Sequence, residues 1–177
     1  MCLRGEGPDD LMEVTRALGE QMLLLAGAAN SEAEARDQLQ QVIADGSALG
    51  KFREIVAAQG GDVAVVDHPE RLPQARLVEP VAAEGEGVVQ EVDAYQIALA
   101  AMRLGAGRAK AEDHIDPAVG VDRLVKVGER VRRGQPLCRL HANDEAALAD
   151  ARAQVLRAVR LGSDLVDTPP LVAGVVS

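Results

Sequence analysis

The unbroken helical period at the start of this chain ends between Asp67 and Arg76, and that change limits the folds open to it. Ahead of it, apolar residues recur at helical spacing. Pro8 followed by Asp9 and Asp10 has the form of a helix start, because proline suits the first turn and acids favour the positive helix end. Leu11, Val14, Leu18, Met22 and Leu25 then follow at steps of three and four, which predicts one buried face. Ser31 and Glu34 have the spacing of a capping box. They open a second helix with Ala35, Leu39, Val42 and Ile43 inward. After Gly46, Ser47 begins a third helix that buries Leu49, Phe52, Ile55 and Val56 and closes at Gly60-Gly61. The spacing predicts helices over 9–27, 31–45 and 48–59.

Beyond Pro69 the pattern shortens. Leu77 and Val81 alternate between Pro73 and Pro80, and Val88, Val89 and Val92 predict a further strand. A helix over about Ala94–Leu104 presents Ile97, Ala98, Ala101 and Met102. Val119, Val121, Leu124, Val125 and Val127 are expected in strands, as are Leu137 and Leu140, with Gly128 and Gly134 at tight turns. Asn143-Asp144 caps a last helix whose stripe is Leu148, Ala151, Val155 and Val159. Pro169-Pro170 is expected to stop that helix, and Leu171–Val176 to form a final edge strand. The fold class is therefore α+β: a helical segment over 1–70, then an α+β subdomain over 76–177 with a mixed or antiparallel sheet.

The core of such a chain must be aliphatic, since aromatic residues make up 1% of it, only Phe52 and Tyr95. A formal charge of −9 excludes the basic footprint that nucleic acid needs. Single-stranded bases would also find almost nothing to stack on. Cys2 and Cys138 are too few for a disulfide framework, and Cys138 lies in an apolar pattern that reads as a buried thiol. The longest apolar stretch, Met22–Ala29, is far short of the roughly 20 residues of a membrane span. A soluble, cytoplasmic protein is expected.

Few motifs carry chemistry. Gly105-x-Gly107-Arg108 follows a helix rather than a strand and has no Gly-Lys-Ser/Thr continuation, so it reads as a helix C-cap and chain reversal rather than a phosphate loop. Arg108 would then serve an ion pair. Glu112, Asp113 and Asp116 gather around His114, but charged neighbours make this a solvated loop rather than a proton-transfer pair. His68, His114 and His141 have unrelated positions, which disfavours a metal triad, and no serine occupies a nucleophile elbow.

Several segments together carry a family resemblance. They are Gly5-Glu6-Gly7-Pro8, Ala57-Ala58-Gln59-Gly60-Gly61-Asp62, Leu104-Gly105-Ala106-Gly107-Arg108, Ile115-Asp116-x-Ala118-Val119-Gly120, and Val127-Gly128-x-Arg130-Val131-x-x-Gly134, with Leu140-His141-Ala142-Asn143 closing the run. In this order and spacing the chain resembles the C-terminal part of the thymidine and pyrimidine-nucleoside phosphorylases, from about Leu3 to Leu161. The resemblance implies an α/β hammerhead subdomain preceded by late helices of the large α/β domain. It implies reversible phosphorolysis of pyrimidine nucleosides to base and pentose 1-phosphate, by a homodimer that uses inorganic phosphate as co-substrate. The family's Lys-x-Ser and Gly-Gly-Thr-x-Asp-Lys phosphate signatures have no counterpart here, nor do its base-binding residues. Its last potassium ligand falls just upstream of Met1. No catalytic, substrate-binding or metal-ligating residue is carried over, no cofactor is expected, and the chain is expected to be inactive alone.

In the family, the position of Met1 falls inside a helix, so a truncated gene, an incomplete gene model or an artificial boundary is expected, with the missing N-terminal part of the phosphorylase as partner. A rival expectation is a stand-alone interaction module that keeps the hammerhead fold. A third is a carrier: Val127–Leu137 is similar to half of a biotinyl or lipoyl domain, but Lys126 lies in a strand-like run and Lys110 lacks carrier flanks. Intact-mass measurement is expected to give the unmodified chain. A biotin or lipoate adduct on a lysine would establish the carrier instead.

Overall fold

A computed structural model describes residues 1–108, 110–168 and 170–176. The chain divides into two compact units, one of Met1–Pro69 with Pro169–Ser177 and one of Glu70–Thr168. The first contains three helices, α1 (Asp9–Leu25), α2 (Glu32–Ala44) and α3 (Ser47–Ala58). Pro8 precedes α1, and Asp9 and Asp10 occupy its first turn. Ser31 caps α2 by accepting the Glu34 N–H at 3.2 Å. Glu34 reaches back to the Asn30 N–H at 2.8 Å, one residue further than the expected box. At α3 the expected cap shifts: Gly46 takes the left-handed conformation (φ 78°), and the Asp45 carboxylate accepts the Ser47 N–H.

Helices α1 and α2 meet across small residues. A methyl group at Gly19 would lie 2.9 Å from Leu39 Cδ1, so glycine permits the close crossing. Beside it Arg36 donates to both oxygens of Glu20, at 2.8 and 3.1 Å, and holds that carboxyl below its ordinary range. A charge this buried is tolerated because it is paired and hydrogen-bonded. This geometry overturns the predicted inward face of α1. Met12 and Glu20 are buried, whereas Leu11, Leu18, Met22 and Leu25 are exposed and Val14 is half-buried. The face turned to α2 is the small and paired one, and the aliphatic stripe lies on another side. Val42, Phe52 and Ile55 are likewise exposed, and of the predicted α2 core only Ala35 is fully buried.

The second unit holds both clusters of buried hydrophobic residues. Its strands are β1 (Leu77–Ala82), β2 (Gly87–Val92), β3 (Gly120–Asp122), β4 (Arg130–Val131), β5 (Pro136–Ala142) and β6 (Val159–Gly162). Two helices, α4 (Ala94–Ala101) and α5 (Glu145–Ala158), lie between them in the chain, and a π-helical turn over Met102–Ala106 extends α4. One antiparallel sheet has the order β1-β5-β3, with Leu77 opposite Ala142 and Asp122 opposite Arg139. The other has the order β4-β2-β6, with Gly87 opposite Val131 and Val92 opposite Val159. A methyl group on Gly87 would sit 2.5 Å from the Gly162 carbonyl oxygen, so β2 and β6 approach only through glycine. The architecture is α+β, as the sequence predicts.

Alternation along β5 distributes its side chains between two cores. Cys138, Leu140 and Ala142 join Val81, Ala100, Leu104, Leu148, Ala151 and Val155. Leu137 joins Ala83, Val89, Val125, Val131 and Val159. Asp93 and Asp144 cap α4 and α5 through the Gln96 and Ala147 N–H groups. Leu148, Ala151 and Val155 are buried as predicted, but α5 stops at Ala158 and Val159 opens β6. The helical stripe conceals this change because Val159 is buried in either conformation. Residues 124–127, including Lys126, lie in a loop and turn rather than a strand, although the Val125 N–H bonds the Leu137 carbonyl at 2.8 Å. Residues 170–176 form no strand and group with the helices, while Pro169 lies outside the described residues.

Leu140 is fully buried at the centre of the larger cluster. Leu140→Ala is expected to cost about 2–5 kcal/mol, read as a lower urea midpoint at an unchanged slope. A loss under about 0.5 kcal/mol, the range typical of surface changes, would contradict this placement.

Candidate functional site

A connected array of polar side chains in the second unit lies on sheet β1-β5-β3. Strand alternation turns Arg139 and His141 away from Cys138, Leu140 and Ala142. The register places Asp122 of β3 directly opposite Arg139. Arg139 Nε donates to Asp122 Oδ1 at 2.8 Å and its Nη2 to Oδ2, a two-point contact, while His141 Nε2 lies 3.2 Å from Oδ1. The Arg139 guanidinium, followed by the His141 hydrogen bond, holds the Asp122 carboxyl below its ordinary range despite partial burial. Chemically this is a closed polar cluster: a guanidinium and an imidazole converge on one carboxylate, which leaves that carboxylate a poor general base.

A second network ties the acidic loop to the start of α5. Asp116 accepts from the Ala118 N–H at 2.9 Å and from Asn143 Nδ2 at 2.7 Å, and these bonds hold its carboxyl low. Asn143 Oδ1 in turn accepts the Arg76 N–H at 2.8 Å, and the Asp116 N–H bonds the Gly105 carbonyl at 2.9 Å. Gly105, at φ 104°, therefore reverses the chain as predicted, with Asp116 latched beneath it. The loop is not uniformly solvated. Glu112 and His114 are exposed, whereas Asp113 and Asp116 are half-buried and hydrogen-bonded. Arg108 and His68 are exposed.

Cys138 is buried, and desolvation raises its thiol to about 11, far from a reactive thiolate. A groove of about 570 Å³ at one end of β2 is lined by Glu86, Arg130, Arg132, Gly162 and Ser163. Its lining sets one carboxylate, Glu86, beside two guanidinium groups. Among the described residues, no buried side-chain nitrogen or oxygen lacks a partner, so none is held ready for a ligand. No three His, Cys, Asp or Glu side chains among them are placed to hold a metal ion. No helix among them is long and apolar enough to cross a membrane.

Residues 88–162, from β2 through β6, match the family described as Pyrimidine nucleoside phosphorylase C-terminal domain. The chain is 41% identical over 175 residues to a pyrimidine-nucleoside phosphorylase of Geobacillus stearothermophilus, covering 99% of itself and 40% of that protein. Residues 88–162 belong to the pyrimidine-nucleoside phosphorylase C-terminal domain family, and the chain as a whole is similar to a C-terminal portion of these relatives. A Bacillus subtilis pyrimidine-nucleoside phosphorylase is 50% identical over 143 residues, which are 81% of this chain and 33% of that protein. A thymidine phosphorylase of Burkholderia orbicola is 42% identical over 164 residues, 92% of this chain and 37% of that protein. The chain thus spans between about a third and two fifths of the length of these relatives.

Sequence reasoning finds His141 and Asp116 but misses their partners. The β5 alternation alone puts Arg139 and His141 on one side, yet only the β3–β5 register brings Asp122 to them. Because the Asp122 carboxyl is depressed in the folded state, it stabilises the fold above its unfolded value near 3.9 and loses that contribution as pH falls through the folded value. Asp122→Asn is expected to flatten part of the loss of melting temperature below about pH 4. Melts over the acid range that superimpose on wild type would contradict the assignment.

Proposed function

We propose that this chain serves as the C-terminal part of a pyrimidine-nucleoside phosphorylase, a cytoplasmic homodimer when complete. In the reaction, inorganic phosphate attacks C1′ of a pyrimidine nucleoside, and base and pentose 1-phosphate are released. This portion scaffolds and closes the enzyme, while the groups that grip phosphate, base and potassium belong to the preceding part. The observation carrying this reading is the near full-length match to relatives more than twice as long. Physical chemistry agrees. Phosphorolysis needs several convergent cationic or N–H donors around phosphate and the leaving base. Here Arg139, Arg36 and Arg152 are each engaged by a carboxylate, Asp122, Glu20 and Glu79 respectively.

Incubated with thymidine or uridine and phosphate, the pure chain is expected to release no base. Co-expression with the part of the Geobacillus stearothermophilus relative that precedes the matched region is expected to restore phosphate-dependent release. Turnover by the chain alone would overturn the division of labour. A stable complex with no turnover would favour a free-standing interaction module.

A further inference from the structure

The helical spacing of the aliphatic stripe of α1 predicts a core face, yet the stripe faces outward. Leu11, Leu18, Met22 and Leu25 are 50%, 61%, 70% and 88% exposed. At 3.6 residues per turn they fall within an arc of roughly 60° and run about 21 Å along the helix. Scattered surface hydrophobes need no explanation, but four large ones aligned on one helix form a contiguous apolar seam, which marks an interaction surface. The paired side of the same helix is already taken by α2 through the Gly19–Leu39 approach and the Glu20–Arg36 contact. Residues 171–175 of this unit come beside the stripe near Leu18.

Two observations select the occupant. The first is length. The matched relatives extend well beyond this chain, which covers 40% of the Geobacillus stearothermophilus protein, and the C-terminal-domain match begins only at residue 88. Helices α1–α3 therefore lie outside that domain and align with chain that continues from the larger, preceding part. The second is charge. Residues 1–69 carry twelve Asp or Glu side chains against five Lys or Arg. Two copies set face to face through α1 would bring like charge together, which opposes association. A different surface, apolar at its centre and basic at its rim, meets no such penalty. Resting on the functional reading above, we infer that the Leu11–Leu18–Met22–Leu25 stripe is the docking seam for the preceding part of the phosphorylase, supplied as a separate chain or in continuity.

The test is co-expression of this chain, tagged, with the preceding part of the Geobacillus stearothermophilus relative. Recovery of a one-to-one complex is expected. Leu18→Glu and Met22→Glu are each expected to lower the recovered partner by roughly tenfold or more. Leu165→Glu, at a residue 84% exposed in the other unit, is expected to leave recovery unchanged. Because the substituted side chains are exposed, the variants should keep wild-type circular dichroism and urea midpoints, which separates lost docking from lost folding. Recovery insensitive to both stripe substitutions would overturn the seam, and so would a homodimer that the same substitutions dissolve. Failure to recover any complex would also count against it. A stripe-tolerant complex that still releases base would leave the functional reading standing without the seam. A stripe-dependent complex without turnover would do the reverse.

Discussion

Strand β5 is the element on which the second unit depends. It lies between β1 and β3, so its backbone donors and acceptors are committed on both edges. Its inner residues Cys138, Leu140 and Ala142 fill the core beneath α4 and α5, while Leu137 enters the other cluster with Val89, Val131 and Val159. One seven-residue segment thus couples two hydrophobic clusters. With almost no aromatic volume, this core is made of Val, Leu and Ala, each burial modest, and close packing must supply what large side chains would otherwise provide. Glycine at Gly87 and Gly162 serves the same end by letting backbones approach where a side chain would intervene.

Charged residues of the second unit are used to fix geometry. Asp122 locks Arg139 and His141 across β3 and β5, and Arg152 of α5 reaches Glu79 of β1. Asp116 and Asn143 fasten the loop after α4 to the start of α5. A carboxylate saturated by donors is a good structural tie and a poor base, since its proton affinity has been spent on those donors. That use of charge supports the scaffolding role proposed for this portion.

The helical unit follows a different logic. Its helices begin where the sequence says, because a cap such as Ser31 acts on a backbone N–H three residues away and proline at Pro8 is preset for a helix start. Its burial does not follow the sequence. Leu18 and Met22 have the periodicity of core residues but are open to solvent, and Gly19 and Glu20, which look like surface residues, face α2. Periodicity reports that a face is apolar; it cannot report which neighbour covers it, because that neighbour is set by long-range packing.

The same distinction runs through the whole chain. Residue order alone determined the elements that local chemistry controls: the three N-terminal helices, the caps at Asp93 and Asp144, the reversal at Gly105, the buried thiol of Cys138 and the family resemblance itself. Tertiary structure decided where distant segments meet. The turn from helix to strand at Val159 depends on a vacant edge beside β2, and the pairing of Asp122 with Arg139 depends on a register between segments 17 residues apart. Neither leaves a mark in its own neighbourhood, since hydrogen-bond partners and burial are properties of pairs, and a sequence states only one member at a time.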